Sequence, residues 1–153
     1  MGQEDLKILK TVFGFDEYLA GQERIIAEIL SGKDVLTIMP TGGGKSLCYQ
    51  LPALMFKGMT VVVSPLIALM QSQVAQLQLL GIKAASLNSS NTFQENRNTL
   101  NMIDTNELKM LYAAPERLVK QETIELLKNK KFKIIECFCY KKKYKSNFKK
   151  ECF

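Results

Sequence analysis

Met39-Pro40-Thr41-Gly42-Gly43-Gly44-Lys45-Ser46 is the stretch on which the reading of this chain turns. Phosphate oxygens need several inward-pointing N–H donors, and only a loop nearly free of Cβ atoms wraps that closely. Gly42, Gly43 and Gly44 supply such a loop. It stands between an apolar run, Asp34–Met39, that reads as a buried strand, and a segment of helical period, Gly44–Phe56. A helix starting there presents its free N–H groups and the positive end of its dipole to an anion. In this pattern Lys45 reaches the outer phosphates and the Ser46 hydroxyl ligates Mg²⁺. Met39 stands where the general phosphate-loop pattern has glycine, so the alternative of an ordinary glycine turn stays open on these residues alone.

Outward from that loop, short apolar runs alternate with longer helical ones. Thr60–Ser64, Ala84–Asn88 and Lys109–Ala113 read as further strands buried on both faces. Leu66–Leu80 has apolar residues at three- and four-residue spacing and is closed by Gly81; Thr92-x-x-Glu95 is a capping box ahead of Leu100 and Ile103. Two helices, Asp5–Phe13 and Gln22–Leu30, precede the sheet. The alternation predicts an α/β fold, a parallel sheet flanked by helices.

The 153 residues suit one domain, and 46% apolar content is enough for one core. No apolar run reaches the roughly 18 residues a membrane span needs, and the acidic start Met1-Gly2-Gln3-Glu4-Asp5 is unlike a signal peptide. A cytoplasmic, soluble protein with no membrane partner is the expectation, and nothing in the sequence indicates an oligomer. The net charge is +6, but Cys137–Phe153 holds six lysines against Glu151, which is +5 of it. The basic balance therefore describes the tail and says nothing firm about the body's partners. Three of the four cysteines lie in that tail and histidine is absent, so zinc-ligand spacing is not met and reduced thiols are expected. The tail has neither helical period nor alternation. Lysine and aromatic rings together suit nucleic acid, and an unstructured stretch of accidental sequence is the competing reading.

Pro40-Thr41-Gly42-Gly43-Gly44-Lys45-Ser46 is the helicase form of the phosphate loop, and further stretches are similar, in the same order, to the RecQ family of ATP-dependent DNA helicases. Phe13-Gly14-Phe15-x-x-Tyr18-x-x-Gly21-Gln22 resembles the family's adenine-recognising motif, which implies that Phe15 stacks on the base and Gln22 bonds its edge. Leu19 stands where the family has arginine, removing a cation that would lie against the adenine. Val62-Val63-Ser64-Pro65-Leu66-Ile67-Ala68-Leu69-Met70-x-x-Gln73-Val74 resembles the segment that faces single-stranded DNA, and Ala113-Ala114-Pro115-Glu116-Arg117-Leu118 its later counterpart. The resemblance implies that Ser64, Pro65, Leu66 and Gln73 bind the nucleic acid. On spacing alone, Leu66, Leu69 and Val74 equally suit a packed helix face, and Arg117 a surface ion pair.

What the resemblance implies is a RecA-like motor domain over residues 1–136, with Thr41, Gly42, Gly43, Gly44, Lys45 and Ser46 around ATP and Mg²⁺ and Lys45 as the catalytic cation. The family's next feature is a strand ending in Asp-Glu-Ala-His, whose acids hold Mg²⁺ and align the attacking water. Lys133-Ile134-Ile135 starts such a strand, but Glu136-Cys137-Phe138-Cys139-Tyr140 follows. The expectation is a partial RecA-like domain, truncated before the acidic-box strand is completed, with residues 137–153 as the product of a reading-frame change. Three functions compete: a 3′-to-5′ DNA helicase of recombination and repair by descent, here binding nucleotide weakly and lacking helicase activity; a non-catalytic nucleotide- or DNA-binding module; and a degenerate product without function.

Overall fold

The computed structural model describes residues 3–40 and 42–136. Four parallel strands, β1 (Met59–Val63), β2 (Ala84–Leu87), β3 (Met110–Ala113) and β4 (Phe132–Glu136), form one sheet in the order β2-β3-β1-β4. The register pairs Val62 with Tyr112 on one side and with Ile135 on the other. Three strands lie within a residue or two of the sequence reading because their near-continuous apolar text fits only a doubly covered sheet.

Seven helices surround this sheet among the described residues: α1 (Gln3–Thr11), α2 (Gln22–Leu30), α3 (Lys45–Met55), α4 (Ile67–Leu79), α5 (Phe93–Asp104), α6 (Pro115–Leu118) and α7 (Gln121–Lys128). One face of the sheet packs Val62, Met110 and Tyr112 against Tyr49 and Ala53 of α3 and Met70, Val74 and Leu77 of α4. The other packs Val61, Leu87 and Leu111 against Ile103 of α5 and Leu127 of α7. Leu9, Ile26, Leu47 and Leu51 form a third cluster, which fastens α1 and α2 to α3. Burying each such side chain contributes roughly 1.5–3 kcal/mol, so α3, which follows the glycine turn, is anchored both to the sheet and to α1 and α2.

The punctuation read from the sequence is present. Gly81 adopts φ 76° after α4, and the Ile82 N–H donates to the Leu77 carbonyl at 2.9 Å, closing the helix end. Thr92 and Glu95 make the reciprocal capping box at the start of α5. The expected strand Asp34–Met39 is not one: residues 33–40 have no regular secondary structure and no sheet pairing. Leu36 and Ile38 are 88% and 91% exposed. No described strand pairs with this segment, and among the described residues β4 is the last strand of the sheet on its side. An apolar, β-branched run becomes a strand only beside a partner whose N–H and C=O groups it satisfies, and the described residues offer it none.

Candidate functional site

The turn at residues 42–46 is built by backbone conformation. Gly42 and Gly44 adopt φ 82° and 72°, in the left-handed region that glycine enters without a Cβ penalty. Gly44 is the N-cap of α3, so the helix begins at Lys45 with its first N–H groups unclaimed by any side-chain cap. The Gly43 N–H donates to the Pro40 carbonyl at 3.2 Å, which tightens the loop on itself. Thr41 lies outside the described residues.

Lys45 folds back over this loop. Its Nζ donates to the Met39 carbonyl at 3.0 Å and to that of Pro40 at 2.7 Å. None of the ion pairs among the described residues involves Lys45, so its full charge stands against neutral carbonyl dipoles alone. An anion entering the turn offers the ammonium a charge-assisted bond in exchange for two neutral ones. Ser46 is half-buried in the first turn of α3. The described residues hold no cluster of three His, Cys, Asp or Glu that could ligate a metal.

Gln22 closes the site from behind. Its side chain is 1% exposed; Nε2 donates to the Gly44 carbonyl at 3.1 Å, and Oε1 accepts from the Leu19 N–H at 2.8 Å. In this arrangement the Gln22 amide is turned to the loop and ties the 19–22 turn to the start of α3. Phe15, by contrast, is 54% exposed and presents an open ring. Nearby, the Tyr18 hydroxyl donates to buried Asp5 at 3.2 Å; burial first, then the Asp5 charge, pushes its pKa far up and fixes it as a neutral donor.

The second group of expected residues divides in two. Ser64 is buried at the end of β1, where its Oγ accepts from the Leu66 N–H at 3.2 Å. Pro65 and Leu66 are exposed and form a turn leading into α4. Gln73 is not on that open side. It is 8% exposed, and its Oε1 accepts from Gln50 at 2.7 Å and from the Tyr49 hydroxyl at 3.4 Å. One helical turn separates it from Met70 and from Leu77, both in the core, so α4 carries it inward. Among the described residues Arg117 has no ion-pair partner; its guanidinium donates to the Asn88 carbonyl at 3.2 Å.

Sequence reasoning missed the polar core formed by Tyr49, Gln50, Gln73 and Tyr112. Its signal was a glutamine inside the apolar stripe 70-74-77 and the pair Tyr49-Gln50 inside a helix otherwise apolar after Ser46.

The model of the family described as DEAD/DEAH box helicase matches residues 20–148 of this chain. The chain is 48% identical over 122 residues to the ATP-dependent DNA helicase RecQ of Haemophilus influenzae, covering 80% of this chain and 20% of that protein. It is 50% identical over 118 residues to the probable ATP-dependent DNA helicase RecS of Bacillus subtilis, covering 76% and 23%. The chain thus spans about a fifth of the length of the curated relatives it matches. Among solved structures, the helicase MrfA superposes with a TM-score of 0.67 over 89% of this chain and 24% of the other, at 21% identity. A hypothetical ATP-dependent RNA helicase from Sulfolobus tokodaii does so with 0.64 over 82% and 38%, at 22% identity. At these identities the two superpositions establish the fold.

Proposed function

Because the chain belongs to the DEAD/DEAH box helicase family, we propose that the turn at residues 42–46 holds the phosphates of ATP with Mg²⁺, as the nucleotide-binding part of a RecQ-type DNA helicase. The observation that carries this reading is Lys45 Nζ, unpaired with any described carboxylate and held over the loop by the Met39 and Pro40 carbonyls. Gly42, Gly43 and Gly44 bring backbone close to the anion, with Thr41 at the loop's start; α3 supplies N–H donors, Lys45 the cationic contact and Ser46 a hydroxyl for the metal. Bound Mg²⁺ supplies charge neutralisation of the phosphates. The exposed Phe15 ring offers a stacking face for the base. The turn Ser64-Pro65-Leu66 at the head of α4 contacts single-stranded DNA through its backbone, which positions a strand without reading sequence.

Calorimetric titration of Mg-ATP into the chain and into Lys45→Ala tests the assignment. Hydrogen bonds to a charged group are worth roughly 1.5–3 kcal/mol, so the variant should bind about 10- to 100-fold more weakly. Equal affinity of the two proteins refutes it.

A further inference from the structure

Lysine stands immediately before three of the four described strands: Lys83 before β2, Lys109 before β3 and Lys131 before β4. In a parallel sheet those positions share one end, and the backbone joins them there. The Lys109 N–H donates to the Lys83 carbonyl at 2.8 Å, the Thr60 N–H to the Lys109 carbonyl at 2.9 Å and the Met59 N–H to the Lys131 carbonyl at 3.2 Å. Neighbouring strands lie about 4.8 Å apart, so Lys83 and Lys109 enter the sheet side by side, an arrangement in which like charges repel.

This end of the sheet is hollow. A cavity of about 850 Å³ opens between it, the last turn of α3 and the loops that follow α4, α5 and α7. Leu54, Met59, Ile82 and Leu108 give it apolar walls; Lys83, Lys109, Lys130 and Lys131 line it against a single acid, Glu107. Small-molecule sites have this volume and this mixture of apolar wall and a few converging polar groups.

The cations here are short of counter-charge. Lys109 is half-buried, and its Nζ donates to the Phe56 carbonyl at 2.5 Å and to that of Gly58 at 3.3 Å. Burial lowers its pKa, as it does for an ammonium withdrawn from water. None of the ion pairs among the described residues involves Lys83, Lys109 or Lys131. Lys130 is engaged with Asp104, 3.8 Å from its carboxylate and 2.6 Å from its carbonyl, and Glu107 accepts from the Thr105 hydroxyl at 2.7 Å. An anion entering the cavity would exchange neutral carbonyl contacts for charge-assisted bonds and relieve the repulsion between the lysines.

We propose that the cavity at the N-terminal end of the sheet is a second ligand site, which takes a small organic anion. Its carboxylate, phosphate or sulfonate group lies against Lys109 with Lys83 and Lys131, and its apolar body against Leu54, Met59, Ile82 and Leu108. A bare polyanion would have no use for the apolar walls, and an uncharged ligand none for the lysines. The site is independent of the nucleotide and DNA reading above. Lys45 opens α3 at the phosphate turn and Leu54 stands in its last turn, roughly 14 Å further along the helix.

Anilinonaphthalene sulfonate, whose fluorescence rises when its rings leave water, is the probe, and its uncharged parent N-phenylnaphthylamine is the control. Both are titrated into the 153-residue chain, into Lys109→Met and into the double variant Lys83→Met with Lys131→Met, which alters only exposed side chains. A thermal melt identifies the folded proteins. The chain should bind the sulfonate saturably and about 10-fold more tightly than the uncharged parent, the step expected of a charge-assisted bond. The folded lysine variants should lose most of that preference, while Leu36→Lys with Ile38→Lys should keep it. Equal binding of the two probes, or folded lysine variants that hold the sulfonate as the wild type does, overturns the proposal. Loss of binding in the Leu36 and Ile38 variant overturns it too, by placing the probe on that segment. Displacement of the probe by Mg-ATP would put it in the phosphate turn, and displacement by a short oligothymidylate would make this end a nucleic-acid surface; either result refutes a separate small-anion site.

Discussion

The side-chain amide of Gln22 grips the carbonyl oxygen of Gly44 at 3.1 Å, joining residues 22 apart in sequence at the point where the phosphate turn becomes helix. A Cβ on Gly44 would lie 2.2 Å from that same Gln22 Nε2, and Gly44 has φ 72°. The two positions are therefore coupled through space as well as through the bond.

Gln22→Ala should lower stability by about 1–3 kcal/mol, since the Gly44 carbonyl and the Leu19 N–H lose a buried partner. Gly44→Ala should cost more, adding left-handed strain of roughly 1–2 kcal/mol to the steric conflict. The double variant should be less damaged than the sum of the two, because alanine at position 22 vacates the space that the new Cβ needs. Chemical denaturation of the four proteins measures the cycle; strict additivity would show that the contact is not there. Gln22→Ala should also weaken ATP and GTP binding alike, by loosening the loop, and a change confined to ATP would return Gln22 to the base.

The capping box of α5 offers a pH-dependent test. Hydrogen bonds from the Thr92 N–H at 2.6 Å and the Thr92 hydroxyl at 2.8 Å, the backbone one first, hold the Glu95 carboxyl below its ordinary 4.5. A carboxylate whose folded pKa is depressed contributes stability that is fully present above its unfolded value and lost as pH falls through the folded one. Thr92→Ala removes the N-cap, whose usual loss is about 1 kcal/mol. That corresponds to roughly 2–4 °C in melting temperature. The gap between wild type and variant should narrow as pH drops below 4.5; a gap that stays constant down to the acid limit would mean that Glu95 takes no part.

Most of this architecture was legible because short-range rules decide it. The strands β1, β2 and β3 are apolar runs bounded by turn residues, and α5 announces itself by Thr92-x-x-Glu95. Asp34–Met39 was misread because its text states a preference for pairing while the partner is a matter of tertiary structure. The short helices α6 and α7 were missed: Pro115 at the first turn was a start signal, but four and eight residues are too few for a period to show. At the site, the glycines, Lys45 and Ser46 are contiguous in sequence, and the left-handed Gly42 and Gly44 shape the turn before α3. Gln22 and Gln73 face inward for a reason that residue identity cannot display, since an amide serves a ligand and a buried carbonyl equally well.

Leu36 and Ile38 predict association. Among the described residues, two large apolar side chains at 88% and 91% exposure lie on a segment with no sheet partner, and β4 is the end strand of the sheet. An exposed apolar run and an open strand edge are both templates for pairing with another chain. The isolated chain should self-associate as its concentration rises, and Leu36→Lys with Ile38→Lys should suppress this without changing the melting temperature, because neither side chain is packed. Sedimentation velocity decides it: a doubly substituted chain that associates as strongly as the wild type rules out this segment as the cause.

A polypeptide of these 153 residues should hold ATP without turning it over at a DNA-stimulated rate. Phosphoryl transfer needs the metal held, the water aligned and the developing charge met by preorganised groups. The phosphate turn supplies Lys45 and the N-terminus of α3, and Ser46 supplies one metal ligand; none of these orients a water. In the DEAD/DEAH box family the acids that do so follow a sheet strand, and β4 ends at Glu136 with Cys137-Phe138-Cys139 next, so one carboxylate stands where a pair is required. Lowering the barrier by binding alone is ineffective, because substrate and transition state are then held equally. A phosphate-release assay with single-stranded DNA measures the outcome. Turnover near 1 s⁻¹, roughly the low end for enzymes, that vanished in Lys45→Ala would show that another group aligns the water and that the missing acid pair is dispensable.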